Sequence, residues 1–100
     1  METLDNLVTA LCADYARRSA LIQKGGLSRR VETELRYLNA KIIDATLEIA
    51  EDFELDDFIT EIGSGVGYAK SRLSHISETT YKKRKREIKQ NVARKLHLVD

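Results

Sequence analysis

The chain has 100 residues, of which 42% are hydrophobic and 33% are charged, and its net charge is +1. A chain of this length buries only about 60–70% of its unfolded surface, which leaves little room for an elaborate enzyme pocket. Its single cysteine excludes an internal disulfide and a cysteine-rich zinc site, and no apolar run approaches the ~18 residues of a membrane span. The acidic first residues are unlike a secretory signal, so we expect a cytoplasmic protein with one compact domain.

The charge is divided unevenly along the chain. Residues 1–69 carry 7 Lys/Arg and 13 Asp/Glu, a net of −6, whereas residues 70–100 carry 10 Lys/Arg and 3 Asp/Glu, a net of +7. Such asymmetry favours a nucleic acid or another acidic partner at the basic end.

The first half of the sequence predicts two long helices. The chain has no proline, and its five glycines lie at Gly25-Gly26 and within residues 63–67, which is typical of an all-α fold. Apolar residues recur at helical spacing through residues 4–24 and 28–53, and Ser28 is a suitable cap for the second helix. We therefore expect a long antiparallel helical hairpin over residues 1–53. Its apolar stripes, which include Leu7, Val31 and Phe53, offer a surface for a homodimer.

A smaller unit follows over residues 54–100. The pattern predicts a short helix at 54–62, a flexible hinge at the glycines of 63–67, another short helix at 68–73 and a turn at 74–76. The glycine segment lacks the preceding strand of a nucleotide-binding loop. We expect the carboxylates of residues 44–61 to form an exposed helix face and to act as an intramolecular partner for the basic tail.

The last helix begins at Ser77, which caps it, and carries a run of cations. Leu73, Ile76, Ser77 and Tyr81 fit the positions of a helix-turn-helix motif. Lysine and arginine neutralise phosphates, and threonine also reads base edges. We expect phosphate contacts from Lys82, Lys83, Arg84, Arg86 and Lys89, and base contacts from Thr79, Thr80 and Lys83. A charge run of this kind is also typical of a merely solvated face. Arg17, Arg18, Arg29 and Arg30 either extend this footprint or serve as structural caps.

Residues 76–88, followed by the closing Ala-x-x-Leu-x-Leu at 93–98, carry a Ser, a Thr-Tyr pair and a Lys/Arg ladder. This pattern resembles the carboxy-terminal helix of small phage transcription regulators of the RinA/ArpU type, whose ends look like the promoter-binding domain of sigma factors. The resemblance covers about a quarter of the chain and implies a helix-turn-helix that binds promoter DNA. Because glycines crowd its start, either the motif's first helix is very short or the motif is degenerate.

The remaining chemistry-bearing residues do not converge. His75 and His97 form no helical pair, and Cys12 is remote from both in sequence, so we expect no metal site, no cofactor and no catalytic set. Duplex DNA is therefore the expected partner, with RNA polymerase as a further one, and the protein is expected to be a phage or mobile-element transcription regulator rather than an enzyme. The alternative is a helical protein–protein interaction module that binds an acidic partner instead of DNA.

Overall fold

A computed structural model describes residues 2–99, apart from the side chain of Glu2. Over this range every regular element is helical, which confirms the all-α prediction. The five α-helices are α1 (Glu2–Ala13), α2 (Tyr15–Lys24), α3 (Arg29–Leu47), α4 (Leu55–Ser64) and α5 (Glu78–Lys95). Two single 3₁₀ turns, Asp52–Glu54 and Tyr68–Lys70, lie in the connections.

The predicted helix over residues 4–24 is bent at Asp14 into α1 and α2. Backbone bonds still cross the bend, from Asp14 N to Ala10 O at 3.1 Å and from Arg18 N to Asp14 O at 2.9 Å. The two halves diverge because α1 packs against α4 and α5, whereas α2 packs mainly against α3. The long hairpin is thus shortened to α2 and the facing part of α3.

The turn between α2 and α3 follows the sequence prediction. Gly25 and Gly26 have φ values of 78° and 82°, a left-handed backbone that glycine adopts without strain. The Ser28 side chain then accepts a hydrogen bond from Val31 N at 3.2 Å and caps α3. These contacts return the chain along α2 within four residues.

The sequence predicted that the second helix ends at Phe53. In the structure α3 ends at Leu47. A new start signal explains the difference: Glu51 and Glu54 form a capping box, in which Glu51 N donates to Glu54 Oε1 at 3.0 Å. The backbone therefore leaves the α3 axis before Phe53, whose side chain is 73% exposed. Its predicted place on the apolar stripe of α3 is wrong.

The core lies between α1, α3, α4 and α5, and its largest fully buried side chains come from each of these helices and from the connection before α5. They include Val8, Ile42, Phe58, Ile59, Ile62, Leu73, Tyr81, Ile88 and Val92. The predicted stripe positions Leu7 and Val31 lie outside this core and are exposed.

The glycine segment combines a close helix contact with a helix end. Helix α4 continues through Gly63, and a Cβ there would lie 2.6 Å from the Cα and N atoms of Ala13, so the crossing of α1 and α4 requires glycine. Gly65 then ends α4 in a left-handed conformation with φ 73°. Gly63 thus lies within α4 and allows the close approach of α1. The prediction of a flexible hinge is wrong for this residue.

The stretch before α5 is more compact than predicted. The helix expected at residues 68–73 is a single 3₁₀ turn, Tyr68–Lys70, and residues 74–76 form the predicted turn. The Tyr68 hydroxyl donates to Ile76 O at 2.5 Å and fixes this turn. The element that stands where the motif's first helix was expected is therefore very short.

Candidate functional site

Helix α5 carries the candidate site and is held at its start by Ser77. The Ser77 side chain accepts from Thr80 N at 3.3 Å, as the sequence predicted, and its hydroxyl also donates to Thr80 Oγ1 at 3.0 Å. Tyr81, Ile88 and Val92 are buried on the inner side of the helix. The opposite side of α5 is thereby turned towards solvent.

A buried carboxylate, Glu61, fastens the start of α5 to α4. Its Oε1 accepts hydrogen bonds from the Ser71 and Tyr81 hydroxyls, both at 2.6 Å, and its Oε2 accepts from Arg72 N at 2.8 Å. Burial disfavours the charged form, but these bonds outweigh it and lower the pKa of Glu61. Burial and the Glu61 contact raise the pKa of Tyr81 to about 12, so its hydroxyl stays a donor.

A second buried carboxylate, Glu54, joins the turn at His75 to α5. Its Oε2 lies 2.8 Å from His75 Nε2, and its Oε1 lies 3.5 Å from Arg84 Nη1. Burial again opposes ionisation, while the Glu51 N–H, His75 and Arg84 together lower the pKa of Glu54. The acidic segment thus acts, as the sequence suggested, as an intramolecular partner of the basic helix.

Four of the cations of α5 are occupied by contacts with the protein's own body. The Lys85 ammonium donates to Val66 O at 2.8 Å and lies over the Tyr81 ring, while Lys95 pairs with Glu48 at 2.6 Å. Of the predicted phosphate-binding residues, Arg84 is paired with Glu54 and Lys89 with Asp5 at 3.1 Å. These cations hold α5 in place and have less capacity for an external ligand.

The other predicted site residues share one exposed face. At about 100° per residue, six exposed side chains of α5 fall within an arc of about 120° that contains no carboxylate. We call this set the α5 basic face: Thr79, Lys82, Lys83, Arg86, Gln90 and Arg94. The sequence prediction named four of these residues and missed Gln90 and Arg94.

Ion pairing leaves this face largely available. Among the side chains described, no carboxylate pairs with Lys83 or Arg86. Lys82 lies 2.8 Å from Glu78 one turn away, with both side chains more than half exposed, and such a surface pair contributes little energy. Arg94 contacts the Asn91 side chain.

A shallow groove of about 720 Å³ lies between α5 and the first turns of α1, and one of its sides is formed by Lys82, Arg86, Gln90 and Arg94 of the α5 basic face. Leu4, Val8, Ala93 and Val99 supply its apolar lining. Within the described part of the chain, its charged rim consists of Lys82, Lys85, Arg86, Lys89, Arg94 and the carboxylate of Asp5. Sequence reasoning missed the groove because only the tertiary contact of α1 with α5 brings the two ends of the chain together.

The remaining candidate residues lie away from α5. Arg18 is buried, and its guanidinium donates from Nε to Asn39 Oδ1 at 2.6 Å, so it is a structural residue and does not extend a DNA footprint. Arg17, Arg29 and Arg30 are exposed. Cys12 is buried, and burial raises the pKa of its thiol to about 11. Within residues 2–99, no cluster of three or more His, Cys, Asp or Glu side chains is placed to hold a metal ion.

None of the described helices combines the length and the apolar character that crossing a membrane requires.

No protein-family model, curated protein or solved structure matches the chain. The resemblance of residues 76–98 to phage regulators therefore stays a prediction, and a functional proposal has to be argued from the geometry of the chain itself.

Proposed function

We propose that the protein binds duplex DNA through the α5 basic face and acts as a small transcription regulator. The observation that carries this proposal is the exposure of Lys83 and Arg86 on a carboxylate-free arc, beside two further cations. Duplex DNA presents one negative charge per ~1.7 Å of its axis, so a compact row of cations meets several phosphates at once.

The spacing along α5 suits such a contact. Lys82, Arg86 and Arg94 lie on one row of the helix surface, separated by four and eight residues, which is about one and two helical turns. At 1.5 Å per residue this row extends over about 18 Å. Because the side chains are long and exposed, they can follow a phosphate backbone without rearrangement of the helix.

The amino-terminal end of the face is the proposed site of base contact. Recognition helices of helix-turn-helix proteins read bases with their first residues. Thr79 lies in the first turn of α5, and Lys83 follows one turn later on the same exposed arc. Thr80 is less suited, because its hydroxyl accepts a hydrogen bond from Ser77 at the cap.

A charge-matched pair of variants tests the proposal. Fluorescence anisotropy with a mixed-sequence 30-base-pair duplex should show at least tenfold weaker binding for Lys83→Ala/Arg86→Ala than for the wild type. The control Lys24→Ala/Lys41→Ala removes the same charge from the hairpin and should bind within twofold of the wild type. An equal loss of DNA affinity in both variants would mean that only net charge matters. Unchanged affinity of Lys83→Ala/Arg86→Ala would refute the assignment of DNA binding to the α5 basic face.

The proposal includes a homodimer formed through the hairpin. Ile42 is fully buried, Leu38 and Leu35 on the same side of α3 are half-buried, and Val31 near its start is exposed. This apolar stripe thus continues beyond the core of one chain. A second copy that covered this stripe would give the assembly two basic faces, one for each of two half-sites.

Sedimentation velocity tests this part separately. We expect a dimer for the wild type and a monomer for Val31→Glu, which places a carboxylate on the stripe. Thr33→Glu, on a different side of the same helical turn, should stay dimeric. A monomeric wild type at tens of micromolar would contradict the dimer without affecting the DNA-binding test.

A further inference from the structure

We propose that the groove between α1 and α5 binds an acidic amphipathic helix presented by another protein. This inference goes beyond DNA binding and does not depend on it, since the groove has features that a phosphate backbone would not use. The lining, the charge and the shape of the groove each favour such a ligand.

The lining is apolar at the bottom and cationic at the edge. Val8 and Ala93 are buried at the floor, while Leu4 is half-buried and Val99 is exposed where the floor opens. A phosphate backbone gains nothing from such a floor, whereas the apolar face of a helix buries surface against it at about 25 cal/mol per Å². A nucleic acid would therefore leave the floor unused.

The charge of the rim specifies the polar face of the ligand. Among the side chains that the structure describes, five cations and one carboxylate line the groove, and that carboxylate, Asp5, is already paired with Lys89 at 3.1 Å. Because Lys85 already donates to Val66 O, the rim offers a partner the cations of Lys82, Arg86 and Arg94, and complementary charge speeds encounter and excludes basic competitors. A helix with glutamate or aspartate beside its apolar stripe satisfies both the rim and the floor.

The shape favours an elongated ligand. Along α5 the lining extends from Lys82 to Arg94, which is about 18 Å at 1.5 Å per residue. A volume of 720 Å³ spread over that length gives a mean cross-sectional area of about 40 Å². This area is smaller than the cross-section of a helix whose diameter is 10–12 Å. The groove thus accepts a row of apolar side chains from a helix lying above it, which is a common mode of peptide recognition.

The test uses two synthetic peptides and the full chain. One 16-residue peptide carries leucines at i, i+3, i+4 and i+7 with glutamates between them, and the second has the same composition in scrambled order. Fluorescence anisotropy should show that the amphipathic peptide binds at least tenfold more tightly than the scrambled one. Equal binding of the two would overturn the proposal, because charge alone would then explain the interaction.

Floor variants locate the site and separate this proposal from DNA binding. Leu4→Gln/Val99→Gln should weaken amphipathic-peptide binding at least tenfold and leave duplex DNA binding within twofold. Leu21→Gln/Leu47→Gln changes two exposed leucines elsewhere and should affect neither.

Lys83→Ala, which lies outside the groove, should weaken DNA binding and leave peptide binding unchanged. Undiminished peptide binding by the floor variant, or a parallel loss of duplex binding, would refute the peptide groove. If the floor variant is destabilised, the single variant Val99→Gln, at an exposed position, serves in its place. It should lower peptide affinity at least threefold and leave DNA affinity unchanged.

Discussion

The contact between Gly63 of α4 and the end of α1 gives a sharp prediction about the packing of these two helices. In Gly63→Ala the new Cβ would lie 2.6 Å from Ala13 Cα and N and 2.9 Å from Cys12 C, all of them backbone atoms. Carbon atoms pack at about 3.5–4.0 Å, so α1 must move by about 1 Å. Overpacking of this kind costs about 1–3 kcal/mol, while the gain in helix propensity is only about 1 kcal/mol.

The clash involves rigid backbone, so we expect the upper end of that range and a net loss of about 2 kcal/mol. For a chain of this size this corresponds to a fall in Tm of about 8–16 °C. Gly67→Ala is the matched control, because Gly67 has φ −88° and no atom within 4 Å of the added methyl group. It should be neutral or stabilise by about 0.4–1 kcal/mol. Thermal and urea unfolding followed by circular dichroism measure both, and a Gly63→Ala protein as stable as Gly67→Ala would refute the close crossing.

Three further predictions concern the contacts that position α5 and the hairpin. The pKa values of Glu54 and Glu61 are lowered from 4.5 in the folded protein, so their contribution to stability is present above that value and is lost as pH falls through the folded pKa values. Urea unfolding between pH 7 and pH 3 should show this loss of stability, and a Glu54→Gln/Glu61→Gln variant should lose less stability over the same pH range. Ser77→Ala should cost about 1 kcal/mol through loss of the cap and Ser77→Asn should cost less, as measured by the urea midpoint; equal costs would contradict a capping role. Asn39→Ala removes the oxygen that accepts from Arg18 Nε, while Arg18 Nη2 keeps its bond to Leu11 O, and it should cost about 1–3 kcal/mol; an unchanged urea midpoint would contradict a structural role for the Arg18–Asn39 contact.

Local signals made much of the helical framework predictable. The Gly25-Gly26 turn and the caps at Ser28 and Ser77 are encoded within a few residues, and the structure contains all three. The short acidic helix predicted at residues 54–62 is α4, with a slightly later start and end. In each case backbone conformation and capping chemistry depend on neighbours in sequence.

Features decided by long-range packing were not predictable from periodicity. The bend at Asp14 follows from the different neighbours of α1 and α2, and the sequence around it still supports a continuous helix. Phe53 is a different case: it fits the spacing of the α3 stripe, but a local signal, the capping box of Glu51 and Glu54, ends that helix first. Gly63 has the sequence appearance of a hinge, and only its closeness to Ala13 gives it a packing role.

The sequence predicted which helix carries the candidate site, but not which of its cations are exposed and which pair with the protein's own carboxylates. The cation run and the cap located α5, and Lys82, Lys83 and Arg86 lie on its exposed face as expected. Sequence could not show that Arg84 and Lys89 meet Glu54 and Asp5, because these partners come from distant segments. The groove arises in the same way, from the contact between the two ends of the chain.

The salt dependence of duplex binding tests the central proposal most directly. If Lys82, Arg86 and Arg94 each meet a phosphate while Lys83 contacts a base, the logarithm of affinity should fall with the logarithm of salt with a slope of about −2.7, or about 40-fold between 50 and 200 mM. For Lys83→Ala/Arg86→Ala the slope should fall to about −1.8. A slope near zero, or one that the double substitution leaves unchanged, would contradict the assignment of this face to DNA.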